Sequence, residues 1–366
     1  MFSTLLIAFI IVIALNCLIY IFFAAYAFSK PQLSEEKSTF PVSVIVCSKN
    51  ESENLKKNIP IWLEQTYPNF ELILINDASI DETLDVIEEF AAKDERIKIV
   101  DVKNNEAFWA NKKYALTLGI KKAKNNYLLF TDADCQPASN FWIQEMANHF
   151  STTKQLVLGY GAYAKRKGLL NKLIRFETMV TALQYFSFAK AGMAYMGVGR
   201  NLAYTAKLFY DNNGFMSHMY IRSGDDDLFV NEAASQTKVA LCDTAESFTI
   251  SEPKKTWKNY INQKKRHITT ASNYKTSHKL FLSFIYIINC LFWIGTALTF
   301  TFFEWEWVFG VVFFRLLFQF IVFGKAFKKF RENGLILLLP FLEIALICFQ
   351  ITIFISNIFS KPKHWK

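Results

Sequence analysis

The chain has 366 residues, 52% of them hydrophobic, and a net charge of +9 at pH 7. That length holds one large domain or two smaller ones. Six cysteines without a C-x-x-C pair suggest neither a zinc site nor a disulfide framework, and agree with a reducing compartment. The basic residues are spread thinly and no nucleic-acid motif accompanies them, so no nucleic-acid partner is expected and the charge suits an anionic lipid leaflet.

The hydrophobic excess sits at the two ends. Residues 2–28 contain no charged residue and are long enough to cross a bilayer as a helix. The stretch is too long for a signal peptide, lacks a basic start and is followed by Lys30, which favours an uncleaved anchor over residues 1–29.

From residue 40 to about 150, strand and helix patterns alternate. "PVSVIVCSKN", "FELILIND", "RIKIVDVK" and "YLLFTDAD" read as strands. "LKKNIPIWLEQTY", "DETLDVIEEFAAK" and "NKKYALTLGIKKAK" read as helices between them. This alternation predicts an α/β domain with a mostly parallel sheet covered on both faces. Ligands bind such sheets outside the carboxyl ends of the strands. Here those ends are "CSKNE", "NDASIDE" and "TDADCQP", all expected on one edge.

Beyond residue 150 the pattern is less regular. Residues 169–190 read as a helix, "YMGVGRNLAYTAKLF" as a glycine-bent approach, short strand and helix start, and "SGDDDLFVNEAASQT" as a turn leading into a helix. "KVALCDTAESFTI" reads as a strand region and "TWKNYINQKKRHITT" as a basic helix. The middle domain is expected over residues 30–279. Residues 280–366 then form a membrane region of about three transmembrane or interfacial helices: 280–303, 307–323 with Arg315, and 335–359 with Pro340 and Glu343. These two charges either pair with each other or Arg315 snorkels. Lys30, Lys37, Lys275 and Lys279 beside the middle domain, with Lys325, Lys328, Lys329 and Arg331 between the last two segments, place both regions in the cytoplasm. With every segment crossing, the tail "KPKHWK" falls on the far side despite its charge, unless one later segment lies in the interface or re-enters.

The chemistry gathers at the strand ends. If strand geometry persists through Asp132 and Asp134, the two carboxylates point to the same side and repel. A hard cation such as Mg²⁺ or Mn²⁺ relieves that repulsion and keeps positions open for diphosphate oxygens. An isolated D-x-D is equally an Asx turn in solvent. Asp77 closes "LILIND" and Glu51 the first strand's loop, both placed to meet a nucleotide, although Asp77 competes with Ser79 and Asp81 as a helix cap. Lys112 opens a helix before the D-x-D strand, as a phosphate contact or a surface lysine. Asp225, Asp226 and Asp227 are consecutive; they cap a helix or, through mutual repulsion, raise one pKa and supply a general base. "QKKRH" offers Gln263, Arg266 and His267, for a leaving diphosphate or for lipid headgroups.

The ordered set "PVSVIVCSKNE", "INDASIDET", "TDADCQP", "GVGRNLAY", "SGDDDLF" and "QKKRH" resembles a membrane-bound family 2 glycosyltransferase of GT-A fold, over roughly residues 40–267. The resemblance implies a nucleotide-diphospho-sugar transferase domain with a Rossmann-like mixed sheet, flanked by N- and C-terminal transmembrane helices. It implies inverting transfer from a UDP- or GDP-sugar with a divalent metal. Glu51, Asp77, Lys112, Asp132, Gln263, Arg266 and His267 are then donor-binding. Asp132 and Asp134 hold the metal, with Asp134 the more direct ligand. Asp226 is the base, with Asp225 and Asp227 as alternatives one register away. Gln263 and Arg266 match Q-x-x-R of Q-x-x-R-W, but His267 replaces the Trp that helps hold the acceptor sugar in processive synthases. The function expected is sugar transfer to a lipid-linked or glycan acceptor in cell-envelope glycan biosynthesis, at the cell membrane with a cytoplasmic active site. A processive polysaccharide synthase subunit and a non-catalytic nucleotide-binding membrane subunit are the alternatives.

Overall fold

A computed structural model describes residues 2–31, 37–103, 112–221 and 223–359. In chain order the elements are α1 (Phe2–Ala27), β1 (Val42–Ser48), α2 (Ser52–Leu63), β2 (Phe70–Asp77), α3 (Thr83–Ala91), β3 (Ile97–Val102), α4 (Lys112–Lys122), β4 (Tyr127–Asp132), β5 (Cys135–Pro137), α5 (Trp142–Ala147), β6 (Leu156–Leu158) and β7 (Gly161–Tyr163). There follow α6 (Leu169–Lys190), β8 (Leu202–Thr205), α7 (Ala206–Asp211), α8 (Asp227–Ala233), β9 (Val239–Leu241), β10 (Thr249–Ser251), α9 (Trp257–Ala271), α10 (Thr276–Phe302), α11 (Trp305–Lys329) and α12 (Leu339–Phe359). They fall into two compact units, residues 31–165 with 188–273, and residues 1–30 with 166–187 and 274–361.

The first unit is built on a seven-stranded sheet of order β3-β2-β1-β4-β8-β6-β9. Every residue of β2 is buried, which is why β1 and β2 read as unbroken apolar runs instead of alternating ones. β3, β2, β1 and β4 are parallel, with Ser48 opposite Asn76 and Cys47 opposite Asp132. Their carboxyl ends therefore share one edge. The sheet is mostly parallel, as expected, and mixed through one reversed strand: β8 runs antiparallel to both β4 and β6, pairing Leu202 with Phe130 and with Leu158. That reversal brings the turn 199–201, just before β8, to the acidic end of β4, where Thr131 Oγ1 donates to the Arg200 carbonyl at 3.0 Å. The turn is anchored from below. Asn201 is fully buried, accepts from Trp142 Nε1 at 3.0 Å and donates to the carbonyls of Tyr160 and Ser247 at 3.0 and 2.8 Å. "KVALCDTAESFTI" is not one strand region. It divides into β9 in the large sheet and β10 in a second sheet of order β5-β10-β7.

Among the described residues, the second unit contains four helices long and apolar enough to cross a membrane, at Thr4–Ala27, Thr276–Phe302, Trp305–Lys329 and Asn333–Asn357. Leu18, Phe284, Phe313, Phe341 and Phe354 are exposed on their outer faces, an apolar surface of the kind a bilayer can cover. The polar groups lie inside. Arg315, wholly buried, donates to both oxygens of Glu343 at 2.8 and 2.9 Å, to Gln319 at 2.7 Å and to Asn16 at 3.1 Å. Trp293 Nε1 also donates to Glu343, at 3.1 Å. One cation thus joins α1, α10, α11 and α12, so Arg315 pairs and does not snorkel. Lys329 Nζ donates to the Ser29 carbonyl at 3.1 Å and Lys325 lies over the Phe28 ring, so basic groups gather where α1 and α11 both end. Within this unit Arg175 of α6 is paired with Glu332. The tail "KPKHWK" lies outside the described residues.

Candidate active site

β4 stops at Asp132, so strand geometry does not continue to Asp134; a turn follows and β5 begins at Cys135. The turn still brings the ligand atoms together. Oxygens of Asp132 and Asp134 and the Cys135 sulfur all lie within 4.8 Å of one another. Burial, then Asp132, then Glu51 push the Asp134 carboxyl above its usual range. Two carboxylates this close, one strained by its neighbours' charge, fit a divalent cation.

Lys112, at the start of α4, bridges two acidic groups. Its Nζ is 2.8 Å from Asp132 Oδ1 and 3.1 Å from Asp225 Oδ2. Burial opposes its charge, but Asp132 and Asp225 outweigh that and hold the ammonium well above its usual range. The D-x-D and the acidic triplet are therefore one cluster. Ile45, Cys47, Thr131, Gly199, Tyr204 and Asp226 line the same small pocket.

The three consecutive acids have three different environments. Asp225 faces Lys112. Asp226 caps α8 and accepts from the Gly199 backbone N–H at 2.7 Å and from the Asp227 N–H at 2.8 Å. Burial, reinforced by Asp225 and Asp227, raises the Asp226 carboxyl to about 7. Asp227 is buried and accepts from the Thr270 hydroxyl of α9. Lys113, fully buried, donates to the carbonyls of His218 and Ile221 at 2.7 and 3.0 Å and steadies the approach to the triplet. Burial brings its ammonium down to about 8.

The remaining expected residues are spread around this cluster. Glu51 accepts from Asn54 at 2.6 Å, and its N–H donates to Thr83 at 2.9 Å. Asn50 and Ala78 adopt left-handed backbone directly after β1 and β2, and the two loops are joined by Asn50 N–H to Ser79 and Ile80 N–H to Asn50. Asp77, 3% exposed, takes Lys49 at 3.8 Å as its partner. Burial raises its carboxyl above the usual range, with Lys49 opposing. Gln263 donates to the Tyr163 hydroxyl at 3.2 Å. Arg266 is half-buried, which lowers its guanidinium from the ordinary value. His267 is exposed on α9.

Gly199, Lys113, Tyr163 and Thr270 were not legible as site residues. Gly199 alone left a trace, as the glycine bend in "GVGRN". A Cβ there would lie 3.3 Å from Asp226 Oδ2.

Residues 43–206 match the model of glycosyl transferase family 2. That segment is a family 2 glycosyltransferase domain. A Haemophilus influenzae protein described as an uncharacterized glycosyltransferase is 34% identical over 33% of this chain and 36% of its own. An Escherichia coli UDP-Glc:alpha-D-GlcNAc-diphosphoundecaprenol beta-1,3-glucosyltransferase is 31% identical over 33% of this chain and 45% of its own. The chain spans less than half the length of these relatives. Among solved structures, a Pyrobaculum calidifontis mannosyltransferase in complex with GDP-Man and Mn²⁺ superposes with a TM-score of 0.62 at 15% identity, covering 98% of this chain and 99% of that one. This likeness shows the fold, a GT-A-like mixed α/β sheet.

Proposed function

We propose that the protein is a metal-dependent, inverting glycosyltransferase of the cell membrane, moving a sugar from a UDP- or GDP-sugar to a lipid-linked or glycan acceptor on the cytoplasmic side. The observation that carries this reading is the bridge from Asp132 through Lys112 to Asp225, because it sets the D-x-D beside the acidic triplet, whose Asp226 carboxyl is raised to about 7.

Asp226 is the general base. Its carboxylate accepts the proton of the acceptor hydroxyl as that oxygen attacks the anomeric carbon, and the nucleoside diphosphate departs from the opposite face. The backbone N–H groups of Gly199 and Asp227 fix the carboxylate's direction. One displacement inverts the anomeric centre, and no covalent nucleophile takes part. Asp134 and Asp132 would hold a divalent cation, which supplies charge stabilisation to the departing diphosphate. Lys112 and Arg266 add positive charge to the same leaving group, and Glu51 and Asp77 face the nucleotide from the joined loops.

The membrane-crossing helices favour an acceptor presented at the bilayer, and the Escherichia coli relative's name points to a diphospholipid-linked one. His267 in the place of Trp favours single additions over processive synthesis. Basic groups at the shared ends of α1 and α11 support the cytoplasmic orientation. The test is a screen of nucleotide-sugars with membranes containing the full chain. Metal-dependent release of UDP or GDP that Asp226→Asn abolishes supports the reading; binding without turnover for every donor would replace it with a non-catalytic subunit. Product length separates single transfer from polymer synthesis.

A further inference from the structure

The helix α9 carries Gln263, Arg266 and Thr270 at spacings of three and four residues, which lines them along one face. Both ends of that face are fastened. At one end Gln263 Nε2 donates to the Tyr163 hydroxyl at 3.2 Å. The Tyr163 ring lies under the Arg200 guanidinium at 4.3 Å, and Arg200 is itself bonded to the Gly161 carbonyl at 2.6 Å and to Ser251 at 3.4 Å. The preceding residue, Gly199, holds Asp226. At the other end the Thr270 hydroxyl donates to Asp227 Oδ2, and Thr270 and Asp227 are both buried. Arg266 stands between the two fastenings.

We propose that Tyr163 and Thr270 are positioning residues: they form a two-point mount that presents Arg266 to the diphosphate of the nucleotide ligand. The proposal rests on the nucleotide-sugar reading above. A helix fastened once can swing about its anchor; fastened twice, it delivers its side chain with little further ordering cost. Asp226 and Asp227 are adjacent, so the same mount ties the placement of Arg266 to the base. A partly desolvated guanidinium makes a strong charge-assisted contact with phosphate, and this gives the mount its leverage.

The experiment measures binding of UDP and of GDP, with Mn²⁺, to the full chain in detergent. Arg266→Ala is expected to weaken Kd about tenfold, and Thr270→Val and Tyr163→Phe each about five- to tenfold, while Thr270→Ser binds as the parent does. In the Arg266→Ala background, Thr270→Val adds less than about twofold, because its effect passes through the missing guanidinium. A merely structural threonine would weaken binding equally in both backgrounds, and that result overturns the proposal. Should Thr270→Val fail to fold, Tyr163→Phe carries the test, since it removes one hydroxyl and leaves the ring under Arg200; a Kd within about twofold of the parent then overturns it. A parent that binds neither nucleotide overturns this inference together with the nucleotide reading. A parent that binds but transfers no sugar removes only the transfer reading.

Discussion

The backbone N–H of Gly199 points at Oδ2 of Asp226 over 2.7 Å, across 27 residues of chain. The contact exists because β8 runs antiparallel to β4, which returns the turn 199–201 to the D-x-D edge. It singles out one acid among three. Asp225 is occupied by Lys112 and Asp227 by Thr270, whereas among the described residues Asp226 is held through the backbone donors of Gly199 and Asp227.

Asp226→Asn is expected to lower kcat by about 10²–10⁴-fold with nucleotide affinity unchanged, the loss typical of a removed general base. Asp227→Asn is expected to act differently, weakening nucleotide binding through α9. Steady-state kinetics beside calorimetry on both variants distinguishes the roles. Equal kcat losses with equal binding would place the base elsewhere.

The pH profile follows from the same group. Asp226 is raised to about 7 by burial and by its two acidic neighbours, so it carries a proton below that pH and cannot accept another. The rate is expected to rise with pH, reaching half its plateau near pH 7. A plateau extending down to pH 5 would mean that the proton acceptor is an ordinary exposed carboxylate.

Removal of the divalent cation, or Asp134→Ala, is expected to abolish metal-dependent binding of nucleoside diphosphate. Burial, Asp132 and Glu51 all disfavour the Asp134 carboxylate in the absence of a balancing charge. Chelation followed by titration with Mg²⁺ or Mn²⁺ checks this; unchanged binding in the chelated protein would remove the metal from the account.

In the helical unit, Arg315→Leu leaves Glu343 buried without its cation. A loss of about 3–5 kcal/mol is expected for a pair broken on one side. Arg315→Leu combined with Glu343→Leu is expected to recover most of that loss, because no uncompensated charge remains. Thermal unfolding in detergent reads both variants.

Much of the sheet was legible because buried parallel strands are continuous apolar runs that end in polar clusters: "LILIND" and "LLFTDAD" state both the strand and its edge. Asp132 and Asp134 were legible for the same reason, whereas Asp225, Asp226 and Asp227 stood out as three consecutive acids at a helix start. The family resemblance pointed to Asp226, with Asp225 and Asp227 one register away; the contacts that give the three acids different surroundings, with Gly199, Lys112 and Thr270, are remote along the chain and left no trace in the sequence. The small sheet was hidden too. β5, β7 and β10 have three residues each, too few to display a period of two. Arg315 and Glu343 were conspicuous as charges in apolar segments, and both candidate outcomes, pairing or snorkelling, left the same trace in sequence.

The Arg315 cluster also bears on how the chain enters the bilayer during synthesis. Arg315 lies near the middle of α11, and its carboxylate partner is 28 residues downstream in α12. Alone in hydrocarbon, an arginine at a helix centre costs about 2.5–3.5 kcal/mol. The translocon would therefore release α11 and α12 as a paired hairpin, and nascent chains halted before Glu343 should leave α11 accessible to aqueous thiol labelling where longer ones protect it.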